Sequence, residues 1–147
     1  MIICLASDHA GFDLKNHLAE FIGNLGYTVV DKGPFSLDPA DDYPDLMRPV
    51  AQEILKDPAH IRGIIMGGSG EGEAICVNRM KGIRAAVYYG GTLDVVKITR
   101  EHNDSNILSL GARFITREEA EAAVRVWLET KFSGDERHKR RIAKIDG

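Results

Sequence analysis

The chain has 147 residues, 44% of them hydrophobic and 28% charged, which is about one domain's length with enough apolar material for a core. A second catalytic domain and wholesale disorder are both excluded. Its 19 basic and 22 acidic residues leave a net charge of −3, the wrong sign for a dedicated nucleic-acid binder.

The charge is uneven. Residues 131–147 hold six Lys or Arg against three acids, so a +3 tail follows a −6 body. No run approaches the roughly 18 apolar residues of a membrane span, and the N-terminal MIICLASDHAG lacks both a basic start and a cleavable apolar stretch. A soluble cytoplasmic protein that binds neither membrane nor nucleic acid is expected. Cys4 and Cys76 lie in apolar segments without C-x-x-C spacing, and the five histidines show no ligand spacing. Two buried, reduced thiols and no metal are expected.

In chain order, the apolar runs 2–6, 27–30, 63–66, 84–88 and 106–110 read as short strands buried on both faces. Leu14, Leu18, Phe21, Ile22 and Leu25 form one helical stripe that ends at Gly26. A second helix begins after Asp42, with Leu46, Val50 and Ile54 inward and Pro49 either near its first turn or kinking it. The third helix starts in the glycine loop 67–72 and the fourth covers about 92–101. The fifth opens with a Thr116-x-x-Glu119 capping box, and a helical-looking basic tail follows. Strands alternating with helices imply one α/β domain over 1–147: a three-layer α/β/α, Rossmann-like fold on a five-stranded, mostly parallel sheet.

Ligands of such folds sit beyond the carboxyl ends of the strands. That rule selects Asp8 and His9, Gly67 to Glu73, Tyr88 to Gly91, and Gly111 to Arg113. The sequence Gly67-Gly68-Ser69-Gly70-Glu71-Gly72-Glu73 offers converging N–H groups at a helix start, suited to an anion. Its spacing departs from nucleotide-binding loops, and a tight turn accounts for one or two of its glycines but not four. Glu73 is either a solvated first-turn glutamate or, if buried, a base with a raised pKa. Asp8 could cap a helix or contact a ligand. His102, Asn103 and Asp104 should emerge at the opposite sheet edge, as a polar turn or as groups acting on a neighbouring subunit. Arg137 and Arg141 share a helix face near Arg140 and suit a phosphate, or form a solvated basic end. Arg113 is a third candidate, or a surface ion-pair partner.

Six motifs occur in order: Ser7 to Phe12, Asp42-Tyr43-Pro44, Gly67 to Gly72, Gly82 to Ala85, Arg100 to Asp104, and Arg137-His138. Together, over nearly the whole length, the chain resembles the ribose-5-phosphate isomerase B family, which includes the LacA/LacB galactose-6-phosphate isomerase subunits. The resemblance implies a homodimeric, metal-free and cofactor-free aldose-ketose isomerase that works through a cis-enediolate, with sites shared between subunits. It implies that Asp8, His9, Tyr43 and Asn103 bind substrate and that Gly68, Ser69, Gly70, Glu71 and Gly72 cradle the developing oxyanion. His102 opens the sugar ring, and Arg113, Arg137 and Arg141 grip the phosphate. One branch of the family carries a cysteine base where this chain has Gly67; the other carries a glutamate where this chain has Glu73, which makes Glu73 the base and Ser69 the hydroxyl partner. A hexose 6-phosphate substrate, a binding subunit that needs a paralogous partner, and a nucleotide-binding or phosphoacceptor module are the alternatives. Dimer or tetramer is left open.

Overall fold

Apolar runs with no polar alternation call for a sheet covered on both sides, and this holds for the three central runs, whereas 28–31 and 85–88 form the edges and are only partly buried. The computed structural model describes residues 1–147. In chain order it contains β1 (Ile2–Ser7), α1 (Phe12–Asn24), β2 (Thr28–Asp31), α2 (Tyr43–Lys56), β3 (Ile61–Gly67), α3 (Glu71–Val77), β4 (Ala85–Tyr88), α4 (Leu93–Glu101), β5 (Ile107–Gly111), α5 (Arg117–Glu129) and α6 (Glu136–Ile145). The strand order is β2-β1-β3-β5-β4, and every pairing is parallel.

The two-residue period of a strand divides the core. Ile3 and Leu5 of β1 face one layer, where Leu14, Leu18 and Ile22 of α1, Val96 of α4 and Ala123, Val124 and Trp127 of α5 pack. Cys4 and Ala6 face the other, against Met47, Val50, Ala51 and Ile54 of α2 and Val77 of α3. Full burial of each of the larger aliphatic side chains is worth about 1.5–3 kcal/mol, which holds both helical layers on the sheet.

The expected helix ends are present, and their chemistry explains them. Gly26 has φ +92° just past α1, the left-handed position that ends a helix. Thr116 Oγ1 accepts from Glu119 N–H at 3.1 Å while Glu119 Oε2 accepts from Thr116 N–H at 2.7 Å, closing the capping box. Pro49 lies inside α2, beyond its first turn, where its ring removes one helical hydrogen bond. The basic tail is a helix that buries His138, tied back by Gly82 N–H to Asp146 Oδ1 at 3.0 Å and by Ser133 N–H to the Glu101 carbonyl at 3.1 Å. Cys4 is fully buried, but Cys76 is only half-buried, its thiol 3.9 Å from the Pro44 carbonyl; position 76 lies toward the outer side of α3, so the expectation of two buried thiols holds for Cys4 alone.

At the sheet's β4 edge, the Asn78 carboxamide accepts from Ala85 N–H at 2.7 Å and donates to the Ala85 carbonyl at 3.0 Å, standing in for a neighbouring strand. Next to it, Arg84 and Arg100 bind Asp104, which adopts φ +46°. Arg100 also donates to the carbonyls of Thr130 and Ser105, and Trp127 Nε1 donates to Ser105 Oγ at 2.9 Å. This network fixes the turn that carries His102 and Asn103.

The helices after β1 and β5 pack on one face of the sheet and the helix after β3 packs on the other. The carboxyl end of β3 therefore sits in a crevice between diverging connections, the position where open parallel sheets bind ligands.

Candidate active site

Each loop leaving that crevice brings one part of the site. At the end of β1, Asp8 is 7% exposed, and its Oδ1 accepts from Gly11 N–H at 3.0 Å. Asp8 thus holds the turn before α1 but is not its N-cap, which is Gly11 and carries no side-chain cap; the second Asp8 oxygen remains free. The next residue, His9, directs Nδ1 to Asp41 Oδ1 at 2.8 Å. That hydrogen bond is the main reason the His9 pKa rises above the ordinary histidine value; Asp8 adds to it, and Arg113 and partial burial oppose it.

The glycine loop follows β3. Gly70, at φ +78°, turns the chain into α3 and receives Ser109 Oγ on its carbonyl at 2.6 Å. Backbone N–H groups of Gly68, Ser69, Gly70 and Gly72 have no acceptor within the chain, and Glu71 N–H goes to Ser69 Oγ at 3.2 Å. A set of unspent donors at a helix start is an oxyanion cradle.

Glu73 settles the question its position left open. It is the third residue of α3 and only 3% exposed. Its carboxylate fills the space beside Gly67: a Cβ at position 67 would lie 2.0 Å from Oε1 and 2.1 Å from Cδ. Any side chain at position 67 and the Glu73 carboxylate would therefore compete for the same volume. Burial pushes the Glu73 pKa above the usual carboxylate range, its own backbone N–H opposes this, and the charges of Asp8 and Asp41 add to the rise. A carboxylate so displaced toward neutrality is tuned for accepting and returning a proton.

Tyr43 opens α2 and lays its ring on Gly72, where a Cβ would meet the phenol at 2.9 Å. Beyond β5, the Arg113 side chain spans Gly68, 3.4 Å from where a Cβ would stand there, and makes no hydrogen bond within the chain. Asp8, Tyr43, Gly68, Ser69, Gly72, Glu73, Arg113 and Phe114 line one cavity of about 460 Å³. His9, Gly70 and Glu71 do not line it, nor do Tyr88 to Gly91, although Tyr89 packs on Phe114 with ring centroids 6.2 Å apart; Tyr88 lies in the core and donates to the Gly91 carbonyl.

The remaining candidates form a second cluster on the same chain. His102 caps the C-terminal end of α4 and stacks on His138 of α6, ring centroids 4.3 Å apart. Because α4 runs back from the carboxyl edge, His102 and Asn103 emerge at the amino edge of the sheet, away from Glu73. Arg137 and Arg141 are exposed on α6 beside them; Arg140 is exposed as well. Arg113 thus belongs with Glu73, and the two tail arginines belong with His102.

Two contributors were not apparent in the sequence. Phe114 enters only through the turn after β5. Asp41 sits in the run Asp38-Pro39-Ala40-Asp41-Asp42, whose composition signals a turn, and Asp38 does form one by accepting from Ala40 N–H at 2.9 Å. Asp8, His9 and Asp41 bring their ligand atoms within 4.8 Å of one another. His9 Nδ1 and Asp41 Oδ1 are bonded to each other and Asp8 Oδ1 to Gly11 N–H, so the group is tied together by its own hydrogen bonds.

A buried carboxylate with a raised pKa beside unspent N–H groups, with a guanidinium in the same cavity, is chemically suited to moving a proton next to a carbonyl and to holding an anion. Comparison with known proteins agrees. The sequence profile of the Ribose/Galactose Isomerase family matches residues 3–145. Ribose-5-phosphate isomerase B of Mycolicibacterium paratuberculosis is 38% identical over 142 residues, covering 97% of this chain and 87% of the relative. Among solved structures, ribose-5-phosphate isomerase B from Mycoplasma genitalium with bound ribulose-5-phosphate superposes with a TM-score of 0.93 at 37% identity, covering 98% of this chain and 93% of that one. The enzyme from Thermotoga maritima gives 0.91 at 42% identity, covering 99% and 97%. The chain belongs to the Ribose/Galactose Isomerase family and is an isomerase.

Proposed function

We propose that the chain interconverts ribose 5-phosphate and ribulose 5-phosphate through a cis-enediolate. The observation that carries this reading is the Glu73 carboxylate, buried beside Gly67 and opposite unspent N–H groups. In the aldose-to-ketose direction Glu73 takes the C2 proton, the C–H electrons form the C1=C2 bond, and the carbonyl oxygen O1 becomes an oxyanion held by the loop N–H groups of Gly68, Ser69, Gly70 and Gly72. Ser69 Oγ passes the hydroxyl proton from O2 to O1, the C2=O bond forms, and Glu73 returns its proton to C1. The residue pattern needs no cofactor and no metal. Binding energy from the phosphate, a group that does not react, positions C1 and C2 against the base.

Ring opening and part of the phosphate grip fall to the second cluster. His102 and Asn103 act on the sugar and Arg137 and Arg141 on the phosphate of a site whose Glu73 belongs to another copy, so the working unit is a homodimer with two shared sites. Exposed Ile75, Val95, Ile98 and Phe114 supply apolar surface for that contact. No helix is long and apolar enough to cross a membrane, and the two free thiols suit a reducing cytoplasm.

The test is isomerisation of a panel of aldose phosphates, five and six carbons long, by the purified chain alongside Glu73→Gln. Ribose 5-phosphate turns over fastest, and Glu73→Gln loses about 10²–10⁴-fold in kcat, the usual share of a general base, while still binding phosphate. Preference for a galactose or allose 6-phosphate moves the substrate assignment, and unchanged turnover in Glu73→Gln removes Glu73 from the chemistry.

A further inference from the structure

The His9 ring is held by the loop that leaves the carboxyl end of β2 and leads into Tyr43. Asp41, on the segment entering α2, meets Nδ1 at 2.8 Å; its side chain is 9% exposed, against 33% for His9. No lysine or arginine pairs with Asp41, and its second oxygen, Oδ2, is buried without a donor. A carboxylate so enclosed is stable as an anion only if the ring beside it is a cation, because an unpaired buried charge is costly. With Nδ1 committed to Asp41, Nε2 is the remaining donor, and it has no partner within the chain.

We propose that Asp41 is a positioning residue: it fixes the His9 ring through Nδ1 and supplies the counter-charge that keeps the ring cationic, so that Nε2–H joins Arg113 as a donor to the substrate's anionic group. The ring faces Asp8 at the end of β1, Asp41 from the loop before α2 and Arg113 beyond β5. Two of these, Asp8 and Asp41, also act on Glu73 and raise its pKa. One carboxylate therefore bears on both edges of the working pH range, as the main partner of His9 and as a smaller addition to the burial of Glu73. Its charge delays loss of the His9 proton at high pH, and it delays ionisation of Glu73 at low pH. Neutralising it moves both edges to lower pH, a signature that simple loosening of a loop does not give.

This rests on the isomerase reading for the identity of the anion, and the experiment separates the two. In the full-length dimer, Asp41→Asn keeps a hydrogen-bond acceptor without the charge, Asp41→Glu keeps the charge, and Asp41→Ala removes both. The His9 imidazole is titrated by NMR in ligand-free protein, assigned against His9→Gln, and inorganic phosphate binding is measured across the same pH range. In Asp41→Asn the His9 titration moves to lower pH, phosphate binding weakens from a lower pH onward, and both limbs of kcat/KM shift down together; Asp41→Glu restores the parent profiles. For Asp41→Ala, KM rises about tenfold or more, the cost of losing a hydrogen bond to a charged group, with a smaller change in kcat. An unmoved His9 titration overturns the proposal whatever the activity. A moved titration with phosphate binding and KM unaltered overturns it equally. A chain that isomerises none of the sugars yet shows the titration and phosphate effects refutes the substrate and leaves Asp41 its role.

Discussion

Gly67→Ala is the sharpest test of the site's geometry, because the added methyl has one place to go. It would lie 2.0 Å from Glu73 Oε1, 2.1 Å from Cδ and 2.5 Å from Oε2, whereas comfortable contact between such atoms is about 3.5 Å. The carboxylate must therefore retreat by about 1.5 Å. Misplacing a reacting group by about 1 Å can cost about 10²-fold, so kcat falls at least about 100-fold while the core, which lies on either side of the sheet, stays folded. Overpacking of this kind also costs about 1–3 kcal/mol. A double-mutant cycle assigns both effects: in a Glu73→Ala background the methyl finds room, so Gly67→Ala there lowers neither stability nor the residual rate. Steady-state kinetics on ribose 5-phosphate and urea unfolding of the four proteins measure the cycle. If Gly67→Ala keeps kcat within about threefold of the parent, the carboxylate is not confined as described and the argument for its function fails.

Two further outcomes follow from the same geometry. Because the folded pKa of Glu73 is raised, the stability linked to its proton is complete below the ordinary carboxylate range and is lost as pH rises through the folded value. Glu73→Gln, which cannot ionise, therefore melts higher than the parent at neutral pH, and the difference closes on acidification; a difference that does not change with pH would show that burial is not straining this group. Mixing Glu73→Gln with His102→Ala chains restores one intact site per mixed dimer although each variant alone is inactive, and no recovery after confirmed subunit exchange would rule out a shared site.

The sheet, the order of its elements and the helix ends were legible because local chemistry determines them: unbroken apolar runs, the Thr116 capping box and Gly26. Glu73 was legible only in part. Its place at the loop exit could be read, but its burial depends on the missing side chain at Gly67, six residues away along the chain and in contact only after the loop has closed. The His9–Asp41 pair was illegible for a similar reason. It spans 32 positions, and a run of acids and proline announces a turn without saying which carboxylate will point inward. The division of the arginines between two ends of the sheet needed the direction of α4, which alternation alone supplied, together with the docking of α6, which it did not.

The carboxamide of Asn78 has a consequence for how copies of this chain meet. By taking both backbone groups of Ala85 it removes one of the places where a strand from another molecule could pair along that margin. The blunted margin works against crowded copies adding strand to strand into ribbons there.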